Sequence, residues 1–179
     1  MFEIRLATFE DISAVIQHDK RHLKEPGFNG SLSHPFLPDH EHDWELRKSE
    51  KLLSWTRPLS EERWSRSFII LDGEKILGHI DLRNLFSGTL HRAQLGMGIE
   101  LSIRGKGHGK SLLKFAIKWA KLQPSLDWID LSYFAHNTPA QRLYKSCGFI
   151  ECFTWKDRLR VGPHVIDDTI MTLDLKNNL

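Results

Sequence analysis

Cysteine is almost missing from this chain of 179 residues. Only Cys147 and Cys152 occur, too few for a disulfide scaffold and at no spacing that suits zinc, so reduced thiols are expected. Net charge is nearly missing too. Lys and Arg total 25 against 23 Asp and Glu, a formal +2 that is too small to imply a nucleic-acid partner. No apolar run approaches membrane-spanning length. At the start of the chain, Glu3, Arg5, Glu10 and Asp11 interrupt any apolar core of a secretory segment. Internal repeats, low-complexity tracts and linkers are absent as well. These gaps lead us to expect a soluble, cytoplasmic protein with no membrane partner. The rest is 40% hydrophobic and 27% charged, within the globular range. The length suits a single domain, 1–179, able to bury a substantial core.

The most informative stretch runs from Ile99 through Arg104-Gly105-Lys106-Gly107-His108-Gly109-Lys110-Ser111. An apolar strand enters a loop with glycines at alternate positions, and the loop opens into an amphipathic helix. Glycine lets a backbone turn its N–H groups toward one point and lets a ligand approach closely. The first helical turn adds unpaired N–H groups and the positive end of its dipole. A phosphate or pyrophosphate suits such a place. A nucleotide P-loop requires a glycine where Arg104 stands, and the dinucleotide fingerprint requires G-x-G-x-x-G where the chain has G-x-G-x-G. The pattern Arg/Gln-x-x-Gly-x-Gly/Ala fits without mismatch, as Arg104, Gly107 and Gly109.

Further on, Asn137-Thr138-Pro139-Ala140-Gln141-Arg142-Leu143-Tyr144 leads to Gly148-Phe149. Thr138 suits an N-cap and Pro139 the first helical position. Ala140, Leu143, Tyr144 and Cys147 recur at i, i+3, i+4 and i+7, which predicts one buried face. Gly148 supplies the stop.

Periodicity elsewhere predicts a strand over 2–7 and a helix over 9–24 capped by Thr8, with Asp11 at the capping-box position. An irregular loop over 26–43 is followed by helices over 43–54 and 60–65. Strands over 68–71 and 76–82 flank an Asp72-Gly73 turn. The strand over 93–101 is weakened or bulged by Gly96 and Gly98. After the loop helix come strands over 128–135, 149–160 and 165–173, the last two joined around Gly162-Pro163. The sum is an α/β protein with a mixed, mostly antiparallel twisted sheet flanked by helices.

The glycine loop and the Asn137–Phe149 segment, in this order, resemble the two signatures of the GNAT N-acetyltransferases. The resemblance implies the acyl-CoA N-acyltransferase fold, with a V-shaped splay between the strands over 95–101 and 128–135. It implies acetyl-CoA as acyl donor and a primary amine of a small molecule or a peptide as acceptor. Leu101, Ser102 and Ile103 would meet the pantetheine arm. Arg104, Gly105, Lys106, Gly107, His108, Gly109 and Lys110 would wrap the pyrophosphate, with Ser111 at the helix start. Asn137 would bond the pantetheine or nearby backbone. Tyr144 would donate a proton to the departing sulfur, since a phenol is protonated at neutral pH.

The proton acceptor stays open. Several relatives carry a glutamate near the position of Gln94, which is no base. Glu100, Asp81 and His79 are candidates, as is a water chain. The acceptor pocket is expected from His34, His40-Glu41-His42-Asp43-Trp44, Trp55, Trp64 and the closing hairpin. His40, His42 and Asp43 are read as solvated, and no metal is expected. A homodimer is expected, as relatives often form one. Two other readings remain. One is a non-catalytic acyl-CoA-binding domain. The other, disfavoured by Arg104, is a P-loop-like kinase or ATPase.

Overall fold

The computed structural model describes residues 2–37 and 39–177. The elements follow as β1 (Phe2–Leu6), α1 (Ile12–His22), α2 (Trp44–Thr56), β2 (Ser65–Asp72), β3 (Lys75–Arg83), β4 (Arg92–Ile99), α3 (His108–Lys121), β5 (Trp128–Phe134), α4 (Thr138–Lys145), β6 (Ile150–Val161) and β7 (His164–Asp174). They build one seven-stranded sheet in the order β1-β2-β3-β4-β5-β7-β6. Each pair is antiparallel except β4 with β5, which runs parallel.

That parallel pair is the feature that positions the site. It is closed only from Arg92 opposite Trp128 to Leu95 opposite Leu131. Beyond this point β4 stays paired to β3 as far as Ile99, and β5 stays paired to β7 as far as Phe134. The two central strands therefore splay, and their facing edges are left without sheet partners.

Both faces of the sheet are covered, so β2 reads as a continuous apolar run. Phe68 and Ile70 join Leu95, Leu112, Leu113 and Ala116 in the core under α3. Ile69 and Leu71 pack with Ile12, Val15 and Trp55 under α1 and α2. Each fully buried aliphatic or aromatic side chain contributes about 1.5–3 kcal/mol, which holds the sheet rigid around the splay. No helix of the described residues is long and apolar enough to cross a membrane.

Several local expectations need correcting. No helix forms over 60–65. Arg63 takes a left-handed φ of 61°, and Ser65 already belongs to β2. The first helix begins as a 3-10 turn, Phe9–Asp11, with the Thr8 N–H donating to Asp11 Oδ2 at 2.7 Å. Strand β4 stops at Ile99, because Leu101–Ile103 coil into a 3-10 turn that sends Ile103 into the core. Gly96 and Gly98 cause no bulge. The β3–β4 register is unbroken, and the irregularity lies in β2 between Ile70 and Leu71. Asn137, not Thr138, caps α4, its side chain accepting from the Ala140 N–H at 3.2 Å.

Candidate active site

Between β4 and α3 the backbone leaves its donors free. Among the described residues, no backbone N–H from Gly105 to Lys110 donates to a backbone carbonyl, and helical pairing resumes with Ser111 N–H on Gly107 O. Gly107 makes this possible with a φ of 84° immediately before the helix, a conformation that other residues adopt only at a cost. Gly105 does the same at 74°. A Cβ on either would meet open space, so backbone conformation, not crowding within the protein, calls for glycine there. Free N–H groups at the positive end of a helix form an anion cradle.

The cradle forms one wall of a groove of about 780 Å³ that runs into the splay. Leu101, Arg104, Gly105, Gly107, Gly109, Lys110, Asn137 and Tyr144 all border it, with Met97 and Ile99 of β4 and Leu143 of α4. The structure thus brings together both sequence signatures. Ser102, Ile103, Lys106, His108 and Ser111 do not border the groove. Ile103 is core, Lys106 Nζ donates to Ser102 O at 2.9 Å, and the His108 ring lies 4.2 Å from that of Phe2. Arg104 borders the groove with its guanidinium already engaged, donating to Ile99 O at 2.6 Å and Glu25 Oε2 at 3.0 Å. The Leu101 N–H also donates to Glu25, at 3.0 Å. Glu25 thereby ties the end of α1 to the cradle.

Tyr144 is buried on the wall of the groove, between the rings of Tyr133 and Phe149. Burial pushes its phenol up to about 12, so the hydroxyl keeps its proton at neutral pH.

The opposite face of β4 meets α1. Gly98 is the point of contact. A Cβ there would lie 2.6 Å from His22 Cδ2 and 2.9 Å from His79 Cε1, so two imidazoles rest against the strand. His18 is fully buried beside them, with Nδ1 2.9 Å from Glu100 Oε1 and Nε2 3.0 Å from His79 Nδ1. Arg21 Nε also donates to Glu100 at 3.0 Å. Burial raises the Glu100 carboxyl, but the His18 and Arg21 hydrogen bonds outweigh it and hold the group below its usual range. Asp81 is engaged elsewhere, with Lys51 Nζ at 2.7 Å and the Ser67 hydroxyl, and does not border the groove. Burial opposes its charge, yet Lys51 and its other partners hold it well below the carboxylate range.

Gln94 lies in the closed part of the β4–β5 pair, opposite Asp130, so it does not stand in the splay. Trp55 and Trp64 are not pocket residues. Trp64 is fully buried, and Trp55 donates from Nε1 to Ser67 at 3.0 Å within the core beneath α2. His40, Glu41, His42 and Trp44 border a separate cavity of about 280 Å³, and Asp43 caps α2. His34 does not border the groove but packs behind it, its ring 5.1 Å from that of His22, and the loop borders the groove instead through Gly27, Phe28, Asn29 and Ser33. His18, His22 and Glu25 escaped sequence reading. For the two histidines the signal was spacing, since Val15, His18 and His22 recur at i, i+3 and i+7 on the buried stripe of α1. His18, Asp19 and His79 bring three ligand-type atoms within 4.8 Å of one another. The 3.0 Å between the two imidazole nitrogens is a hydrogen-bond length, shorter than the roughly 3.3 Å implied by bonds of about 2 Å to a tetrahedral metal.

Residues 30–149 match the family described as Acetyltransferase (GNAT) family. Over 72 residues the chain is 44% identical to streptothricin acetyltransferase of Escherichia coli. That match spans 38% of this chain and 38% of the relative. The ribosomal-protein-alanine N-acetyltransferase of Brucella melitensis superposes with a TM-score of 0.78 at 21% identity, covering 96% of this chain and 99% of the other. The yncA protein of Salmonella typhimurium, a putative acetyltransferase solved with its cofactor acetyl-CoA, gives 0.80 at 17% identity, covering 98% and 95%. At these identities the likeness speaks to the fold alone.

Proposed function

The chain belongs to the GNAT acetyltransferase family, and from that premise we propose that it moves an acetyl group from acetyl-CoA to a primary amine of a small molecule or a peptide. The observation that carries the reading is one groove holding both the free N–H cradle, 105–110, and the protonated Tyr144 hydroxyl. The cradle suits the pyrophosphate and the open edge of β4 suits the amide-rich arm. When bound, acetyl-CoA supplies an activated acyl carbon and a thiolate leaving group. Asn137 and Leu101 flank the arm, and Tyr144 gives its proton to the sulfur. On the acceptor side, the carboxylate candidates are Glu100, beside the histidines of α1, and Asp81, paired with Lys51; neither borders the groove, so either would act through a neighbouring group. The reading includes a cytoplasmic setting. It also includes a second copy of the chain, to be tested by light scattering, where a monomer's mass at every concentration would remove it.

The decisive experiment is thermal shift with acetyl-CoA, CoA and ATP, followed by thiol release with a panel of amines. The Escherichia coli relative suggests streptothricin, and spermidine and an alanine peptide complete the panel as a polyamine and a peptide amine. Acetyl-CoA at a hundred times its dissociation constant should stabilise the fold by about 2.7 kcal/mol. Binding without turnover on any amine would favour a non-catalytic acyl-CoA module. Stabilisation by ATP alone would defeat the reading.

A further inference from the structure

Glu100 and His79, far apart in sequence logic, are the two ends of one hydrogen-bonded line through His18. The line has a direction that its chemistry fixes. Glu100 is an ionised acceptor, already taking a hydrogen bond from Arg21, so the proton in its contact with His18 sits on His18 Nδ1. Burial keeps His18 neutral, pushing it down to about 4, so its Nε2 carries a lone pair. The 3.0 Å contact then requires His79 Nδ1 to be the donor. A neutral His79 with its proton on Nδ1 has a bare Nε2. Among the described residues no hydrogen bond occupies that atom.

His79 is not itself one of the residues that border the groove, but it stands directly behind one that does. His79 pairs with Gly98 across the β3–β4 ladder, and its Cε1, the atom between the two nitrogens, rests against that glycine. Gly98 lies beyond Leu95, in the part of β4 that has left β5. His22, on the same glycine, borders the groove. Any residue larger than glycine would push these imidazoles away from the strand.

Resting on the acetyltransferase reading, we propose that His79 Nε2 is the base that takes a proton from the acceptor ammonium, with His18 and Glu100 as positioning residues that fix its tautomer. The freed amine lone pair forms the new N–C bond at the thioester carbonyl carbon as the C–S bond breaks. The sulfur takes its proton from Tyr144. The amide nitrogen sheds its second proton, which restores the phenol, while the first leaves His79 for solvent, so the net release is one proton. Protonated His79 keeps its donor to His18, and no partner has to turn. The groups around it suit a transient cation. Asp19 Oδ1 lies 3.7 Å from His79 Nδ1, and Asp81 follows two residues along β3. The cations near these acids, Arg47 and Lys51, are paired to Asp19 and Asp81. His22 and His34 are held neutral by burial.

Two measurements test this on the full-length protein. Imidazole 15N NMR of the free protein near pH 7 should find His18 and His79 both protonated on Nδ1, whatever the acceptor is. A His79 proton on Nε2 would overturn the proposal even if the enzyme acetylates amines. If no panel amine is turned over, the acetyltransferase reading fails separately, and the tautomer still decides the hydrogen-bonded line. The second measurement is the pH profile of kcat/KM with the best panel amine. His79→Gln should lower kcat by roughly 10²–10⁴-fold and abolish the ascending limb, with acetyl-CoA affinity by calorimetry unchanged. Glu100→Gln still accepts the His18 hydrogen bond but removes the anion, so the limb should move to lower pH. Wild-type kcat in His79→Gln, or an unmoved limb in Glu100→Gln, would overturn the base assignment. So would loss of activity under a chelator with recovery on added zinc, which would mean that these nitrogens hold a metal.

Discussion

Tyr144 shows how one side chain can serve packing and chemistry at once. Its ring fills space between Tyr133 and Phe149, with centroids 6.1 and 5.8 Å away, and the residue also borders the groove. Tyr144→Phe therefore separates the two roles. If the phenol protonates the sulfur, kcat falls by at least roughly tenfold, while acetyl-CoA affinity and Tm stay near wild type because the ring remains. Full turnover in this variant at saturating amine would remove Tyr144 from the mechanism. Residues of this kind were legible in the sequence because they sit in a motif whose spacing is local. Asn137 was legible for the same reason, although its observed role as the cap of α4 was read one residue late. His18 was not legible, because a partner 82 residues away, Glu100, makes it functional. Trp55 and Trp64 misled for the converse reason. Trp55 lies in α2 and Trp64 just before β2, and their burial is decided by packing against the sheet, which nothing local in the sequence signals.

At the scale of elements, the order of strands and helices was readable from apolar periodicity, and the loop before α3 from its glycines. Boundaries failed where a tertiary contact overrode the pattern. Strand β4 ends early because Ile103 is drawn into the core, and the stretch before β2 turns because Trp64 is buried there instead of lying on a helix face. The splay itself has no local signal, since it arises from where two strands cease to pair. The cradle depends on Gly107 as the left-handed residue before α3. A non-glycine residue in that conformation costs about 1–2 kcal/mol, and relief of the strain would turn N–H groups away from the anion. Gly107→Val should thus retain the helical circular dichroism of the fold but lose acetyl-CoA binding by calorimetry. Wild-type affinity in this variant would show that side chains such as Lys110, not the backbone, hold the ligand.

Across the whole molecule, the cluster between α1 and β4 makes stability depend on pH in a definite direction. His18, His22 and His34 are all pushed below their usual 6.5 by burial, to about 4, 2 and 4. Each is therefore neutral in the fold at a pH where the unfolded chain would protonate it. A group with a depressed folded pKa contributes stability that is complete above its unfolded value and lost as the pH falls toward its folded value. For all three the loss begins below about pH 6.5; it continues to about pH 4 for His18 and His34 and to about pH 2 for His22. Each proton taken up on unfolding steepens the decline by about 1.4 kcal/mol per pH unit. Asp11 acts at still lower pH. Its hydrogen bonds from Arg5 hold it at about 2, so its contribution fades only below the ordinary carboxylate range. The melting temperature should accordingly be flat from pH 8 to 7 and fall steadily between 6.5 and 4, well before carboxylates titrate. His34→Gln, which removes one buried imidazole outside the His18–His79 line, should make that fall shallower. The same slope in His34→Gln as in the wild type, measured by calorimetric melting across this range, would show that the histidines are open to water and that the cluster is not sealed between α1 and β4.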